Sequence, residues 1–179
     1  MSEAEKSGYE RRNRAIWAPN DFVHDEKYPK SVFLAGYIGR DHPTWQESLI
    51  ESLKDLPITV LNPYRSDWNW PEDIENKDFS QQTNWELDMM KRADVIAMCF
   101  SPDPEVLAPI SLLELGLHAA TGKMVVVCPK GYWKRGNVQV VCQRFGIEVL
   151  DSVQELEEGV RKRLESLGTN ESEITSDSK

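Results

Sequence analysis

The chain has 179 residues and 40% hydrophobic content, enough for one compact domain with its own core. A formal net charge of -9 argues against nucleic acid or an anionic membrane surface as the main partner, because both demand a basic footprint. No apolar run approaches the roughly 20 residues that span a bilayer, and the polar start Met1-Ser-Glu-Ala-Glu-Lys6 carries no signal-peptide core.

Residues 1–29 are polar and charged, with isolated Trp17, Phe22 and Tyr28. They read as an arm without regular structure that packs Trp17-Ala-Pro19 on a domain spanning 30–167. Ser31-Val-Phe-Leu-Ala-Gly36 reads as a first strand, ending in the turn Gly36-Tyr-Ile-Gly39. Thr44-Trp-Gln-Glu47 has the capping-box form, and Leu49, Leu53 and Leu56 continue a helical stripe. Ile58-Thr-Val-Leu61 is the second strand. The stretch from Asn62 to Pro71 is turn-rich and aromatic. A helix from about Gln81 to Arg92 follows, with Trp85, Met89 and Ala93 at helical spacing.

The third strand is Asp94 to Phe100. Pro109 suits the first position of the next helix, where its missing N–H costs nothing. Gly122 to Cys128 is the fourth strand, Tyr132 to Phe145 a loop and a helix, and Ile147 to Leu150 the fifth strand. Ser152-Val-Gln-Glu155 is a second capping box, opening a helix with the stripe Val153, Leu156, Val160 and Leu164. Residues 168–179 read as a disordered acidic tail. Strands alternating with helices predict a flavodoxin/Rossmann-like three-layer α/β sandwich with a five-stranded parallel sheet. Cys99 and Cys128 lie in core-like strands, and with Cys142 they show no metal-ligand spacing; a reducing, cytoplasmic setting is expected.

The most informative single residue is Glu114, set inside the apolar run from Pro109 to Leu117. An ionised carboxylate among leucines is costly unless it is paired or used. It falls about a turn into a crossover helix, near the carboxyl end of the preceding strand, where open α/β sheets place their ligand crevice. No GxGxxG follows the first strand, no P-loop is present, and no serine sits in a nucleophile elbow. What remains is a set of acids and aromatics at strand ends: Tyr37 after the first strand, then Asn62, Tyr64, Arg65, Asp67 and Trp68 after the second, with Glu86 on the next helix. Carboxylates, a phenol and stacking aromatics suit glycosidic-bond chemistry.

Val32-Phe-Leu-Ala-Gly-Tyr37, Asn84-Trp-Glu86 leading into Arg92-Ala-Asp-Val-Ile96, and Leu113-Glu-Leu-Gly116 followed by Gly122-Lys123 occur in an order and spacing that resemble the nucleoside 2-deoxyribosyltransferase family. That family also includes deoxynucleoside-monophosphate N-glycosidases. The resemblance spans roughly 31–150. It implies Glu114 as a nucleophile that forms a glycosyl ester at C1′, Glu86 in place of an aspartate handling the base's proton, and Tyr37 orienting the nucleophile. Gly36 would join Asn62, Tyr64, Arg65, Asp67, Trp68 and Ser111 in binding the substrate. Asn137 aligns with a polar residue donated to the neighbouring subunit's site, which implies a homodimer or higher oligomer. The implied partners are a nucleoside or nucleotide and a nucleobase, in purine or pyrimidine salvage, with no metal or cofactor. One departure stands out: the acid the family often carries six residues before the nucleophile is Ala108 here.

Each residue also has a plain structural reading. Glu114 can be an acid favoured by the helix dipole, Glu86 part of a solvated helix face, and Tyr37 a cover over the sheet edge. Trp68 and Trp70 can anchor a loop, Arg65 and Asp67 can staple it, and Asn137 can cap a helix. Two rivals to a transferase remain: a hydrolase that admits water, and a non-catalytic nucleotide-binding module.

Overall fold

The computed structural model describes residues 11–38 and 44–167. Gly39, in the expected turn, and the expected tail 168–179 lie outside the described residues. The strands are β1 (Arg14–Trp17), β2 (Lys30–Gly36), β3 (Ile58–Asn62), β4 (Val95–Cys99), β5 (Met124–Val127) and β6 (Val149–Leu150). The helices are α1 (Trp45–Ser52), α2 (Lys77–Arg92), α3 (Pro109–His118), α4 (Arg135–Arg144) and α5 (Val153–Ser166), with a 3-10 turn over Ala119–Thr121.

All strand pairs are parallel, in the order β1-β3-β2-β4-β5-β6. Without β1 this is the flavodoxin order. The expected sandwich is therefore present, with six strands instead of five. The additional one is β1, inside the segment read as an irregular arm. Its residues pair with Thr59 to Asn62, and the Arg14 guanidinium donates to Thr59 Oγ1 at 2.8 Å. A four-residue edge strand buried on one face only has little periodicity of its own; its partner strand defines it.

Each face of the sheet carries a helical layer, because both faces of the central strands are apolar. Val32, Leu34, Val60, Val95 and Ala97 pack under α1 and α5, through Leu49, Leu53, Leu156, Val160 and Leu164. Phe33, Ala35, Leu61, Ile96 and Met98 pack under α2, α3 and α4, through Trp85, Met89, Leu115, Val138 and Cys142. Cys99, Cys128 and Cys142 are buried free thiols.

Both capping boxes form, Thr44 with Glu47 and Ser152 with Glu155. Helix α2 begins a turn before the expected Gln81. The Asn76 side chain accepts from the Phe79 N–H at 3.0 Å and starts the helix ahead of Asp78, whose charge suits that end. Asn137 is not a cap, since the cap position of α4 is Lys134. Among the described residues no helix is long and apolar enough to cross a membrane.

Candidate active site

From β2 the chain turns through α1 to β3, on one side. From β4 it turns through α3 to β5, on the other. The carboxyl ends of β2 and β4 therefore flank the sheet's topological switch point, where strand-following loops diverge and leave a crevice. Gly36 pairs with Cys99 at this junction. Its φ is +131°, and a Cβ there would lie 2.2 Å from the Cys99 carbonyl oxygen, so only glycine fits. The next residue, Tyr37, donates its backbone N–H to that same oxygen at 3.0 Å. Its carbonyl accepts from the Trp45 indole at 2.8 Å and from Gln46 at 3.1 Å. The strand end is thus clamped to α1. The half-buried Tyr37 ring packs with the α1/α5 layer, and its hydroxyl bonds to neither Glu86 nor Glu114.

Across the junction, α3 starts at Pro109 behind Ala108, a non-glycine residue held at φ 43° and ψ 55° with no side-chain cap. That left-handed conformation costs about 1–2 kcal/mol. The helix turns Ser111, Glu114 and Leu115 inward. Glu114 is 8% exposed, and among the described residues its carboxyl has no hydrogen bond and no cationic partner. Burial first, and the charge of Glu86 second, push it up to about 8.

Glu86 reaches the same region from α2. It is partly buried, and burial raises its pKa while a hydrogen bond from Gln82 opposes the rise. Gln82 was not singled out from the sequence, yet it organises this side. Fully buried one turn before Glu86, it donates through Nε2 to Glu86 Oε1 and to the Pro63 carbonyl, both at 2.8 Å. Gln82, Trp85, Glu86 and Met89 lie on one helical stripe, but with two of the four polar the spacing alone does not mark Gln82 as buried.

The loop after β3 has a different character. Asn62 is 1% exposed and turns its Oδ1 to the Tyr64 N–H at 3.0 Å. Arg65 makes a double contact with Asp67, at 2.9 and 2.7 Å, and lies 4.2 Å over the Trp70 ring. Its hydrogen bond holds the Asp67 carboxyl below the usual range. Trp68 meets Trp70 at a tilt, with ring centroids 5.3 Å apart, and Phe79 of α2 edge-on. Arg65 and Asp67 therefore brace the loop internally, and Trp68 secures it to α2. Tyr64 meets Trp17 edge-on, and a recess of about 370 Å³ opens between Trp17-Ala-Pro19 and the Tyr64–Asp67 loop. A recess of about 530 Å³ between α1 and α5 lies elsewhere; neither is lined by Glu114. Asn137 is exposed on α4 and joins no other site residue of its own chain.

Buried polar atoms without a partner are expensive. Among the described residues they are Gln46 Oε1, Asn62 Nδ2, Arg65 Nη1 and Gln82 Oε1. All four belong to side chains at or beside the carboxyl ends of β2 and β3. No group of three or more His, Cys, Asp or Glu side chains that could hold a metal ion occurs among the described residues.

Strained entry to α3, an unpaired buried carboxyl and unsatisfied polar atoms converge on one end of a parallel sheet. The protein is a Rossmann-like α/β protein, and this is the end of the sheet at which such folds bind small molecules. A family model described as "Nucleoside 2-deoxyribosyltransferase like" matches residues 29–132, from just before β2 to beyond β5, and the chain belongs to that family. No curated protein matches the chain.

Proposed function

We propose that the protein cleaves or transfers the N-glycosidic bond of a nucleoside or deoxynucleoside, with Glu114 as nucleophile. The observation that carries this is a buried Glu114 carboxyl without an ion-pair partner, close enough to Glu86 to feel its charge. Glu114, pushed up to about 8, keeps its proton near neutrality, and burial raises Glu86 beside it. A double displacement needs one of the pair ionised and the other protonated. The Glu114 carboxylate attacks C1′, the C1′–N bond breaks, and its electron pair leaves with the base, whose nitrogen takes a proton from Glu86. A second base, or water, then attacks C1′, the ester bond breaks, and Glu86 takes the incoming group's proton. Configuration is retained overall.

Burial favours the proton on Glu114, whereas the first step requires it on Glu86. Positive charge developing at C1′ favours the ionised Glu114 and so draws the proton to Glu86. General acid help of this kind is worth about 10²–10⁴-fold in rate. Gln82 aims Glu86. Gly36, Asn62, Tyr64, Arg65, Asp67, Trp68 and Ser111 bind the substrate, and Tyr37 orients the Glu114 carboxylate. Asn137 serves the site of a neighbouring subunit. The reaction belongs to nucleotide salvage in the cytoplasm.

Incubating the protein with a 2′-deoxynucleoside and a second free base should yield the exchanged nucleoside; free sugar alone makes the protein a hydrolase. A 2′-deoxy-2′-fluoro nucleoside should leave a sugar adduct on Glu114 detectable by mass spectrometry, and an unmodified Glu114 in a protein that turns over would refute the covalent step. Ala108 favours a second reading, a nucleotide-binding module without turnover, because the turn into α3 carries no acid there. Tight nucleotide binding that survives Glu114→Ala, with no turnover, would establish it.

A further inference from the structure

We infer that Ser111 reads the 2′-hydroxyl of the sugar, so that the site selects a ribonucleoside over its 2′-deoxy counterpart. The inference rests on the glycosidic reading of Glu114 and adds the identity of the sugar. From Leu107 to Leu117 the chain has two polar side chains, Ser111 and Glu114. Helix α3 turns both inward, at 3% and 8% exposure, while Leu107, Ile110, Leu113 and Leu117 stay exposed. This inverts the usual surface helix, whose polar residues face water. A buried hydroxyl is expensive to leave unpaired, yet among the described residues that of Ser111 makes no hydrogen bond. A serine within a helix usually turns back to a carbonyl three or four residues earlier. Four residues back, the Leu107 carbonyl already accepts from the Tyr132 hydroxyl at 2.8 Å and from the Trp133 indole N–H at 2.9 Å, which engages both its lone pairs. Three residues back, Ala108 is left-handed at φ 43°, so the chain leaves the helical path there. The local outlets are closed, and the hydroxyl is left for a ligand.

Glu114 decides which ligand atom that is. Residues three apart share a helix face, with Cβ atoms about 5–6 Å apart, so Ser111 and Glu114 present their oxygens from one wall. A carboxylate that displaces a base from C1′ approaches from the face of the sugar opposite the base. In a β-nucleoside that face carries the 2′- and 3′-hydroxyls, whereas the 5′-carbon lies with the base on the other. The 2′-hydroxyl stands on the carbon next to the one attacked, and a group beside Glu114 meets it first. As positive charge grows at C1′, the neighbouring 2′-O–H becomes a stronger donor. Acceptance of that proton by Ser111 Oγ therefore strengthens in the transition state. With alanine at 108, no other side chain between Leu107 and Leu117 except Glu114 itself offers a polar atom to the sugar.

The test is kcat/KM of the full chain, as wild type and as Ser111→Ala, on three substrates that share one base: a ribonucleoside, its 2′-deoxy analogue and its 3′-deoxy analogue. Alanine favours helix and removes a single oxygen, and any general loss cancels in the ratio between substrates. Ser111→Ala should lower kcat/KM on the ribonucleoside and on the 3′-deoxy analogue about 10-fold more than on the 2′-deoxy analogue, the worth of one hydrogen bond. An equal loss on all three overturns the inference. So does a loss that is smallest on the 3′-deoxy analogue, which would move the contact to the 3′-hydroxyl. A wild type that turns over the 2′-deoxy analogue but not the ribonucleoside also overturns it, while leaving the glycosidic reading in place. A wild type inert towards all three removes that reading, and this inference with it.

Discussion

Glu114→Gln tests the electrostatics of the crevice without reference to any substrate. Glutamine keeps the size of the side chain and cannot ionise. In the unfolded chain the Glu114 carboxyl titrates near 4.5; in the folded protein, burial and then Glu86 lift it to about 8. Between those values the folded state holds a proton that the unfolded state has released. Stability from this group is therefore fully present below pH 4.5 and is lost as pH rises through about 8. A gap of about 3.5 units, at 1.36 kcal/mol per unit, corresponds to about 5 kcal/mol. Relaxation around the buried charge takes back part, leaving a net effect on the order of 2–4 kcal/mol. Urea unfolding of both proteins should give equal stabilities near pH 4.5 and a variant more stable by about 2–4 kcal/mol above pH 8. Carboxyls other than the coupled Glu86 titrate alike in both proteins and cancel in the difference. A difference that stays flat with pH would refute the description of Glu114 as a buried, unpaired acid.

Two further perturbations address the residues that hold the site in place. Gln82→Leu removes the hydrogen bond that opposes the rise at Glu86, so carboxyl-carbon NMR should show Glu86 titrating at higher pH. The same variant leaves the Pro63 carbonyl unpaired and should cost about 1–3 kcal/mol; an unchanged Glu86 titration would remove Gln82 from the positioning role. Gly36→Ala drives a methyl into the Cys99 carbonyl 2.2 Å away. A loss of more than about 3 kcal/mol in thermal unfolding is expected, and a loss below about 1 kcal/mol would show that the β2–β4 junction gives way easily.

Much of the fold was readable where local signals agree with tertiary ones. The runs Val32–Ala35, Ile58–Leu61 and Val95–Cys99 are apolar on both faces because helices cover both, and Thr44 and Ser152 announce their helices through the acids three residues on. β1 and the first turn of α2 were not readable. Arg14–Trp17 becomes a strand only beside Thr59–Asn62, and Lys77-Asp-Phe-Ser80 follows a loop whose cap, Asn76, resembles the turn residues before it. At the site, Glu114 stood out as an acid in an apolar helix. Gln82 did not, since glutamine on a polar-rich helix passes for a solvated residue until Pro63 is brought beside it. The Arg65–Asp67 pair was legible only as two residues of opposite charge two positions apart; the loop's turn is what brings the guanidinium onto both carboxylate oxygens.

The N-terminal segment has a consequence for any attempt to isolate the portion that carries the family signature. An excised 29–132 fragment would leave β3 with an unzipped outer edge, because among the described residues Arg14–Trp17 are its only strand neighbours on that side. It would lose the Asn20 and Phe22 carbonyls, which receive the Trp85 indole N–H and the Arg92 guanidinium along α2. It would also strip Leu156, Val160 and Leu164 from the opposite sheet face. The smallest autonomous unit is therefore set by mechanics, not by kinship: residues remote from the signature hold taut the helix on which Glu86 rides.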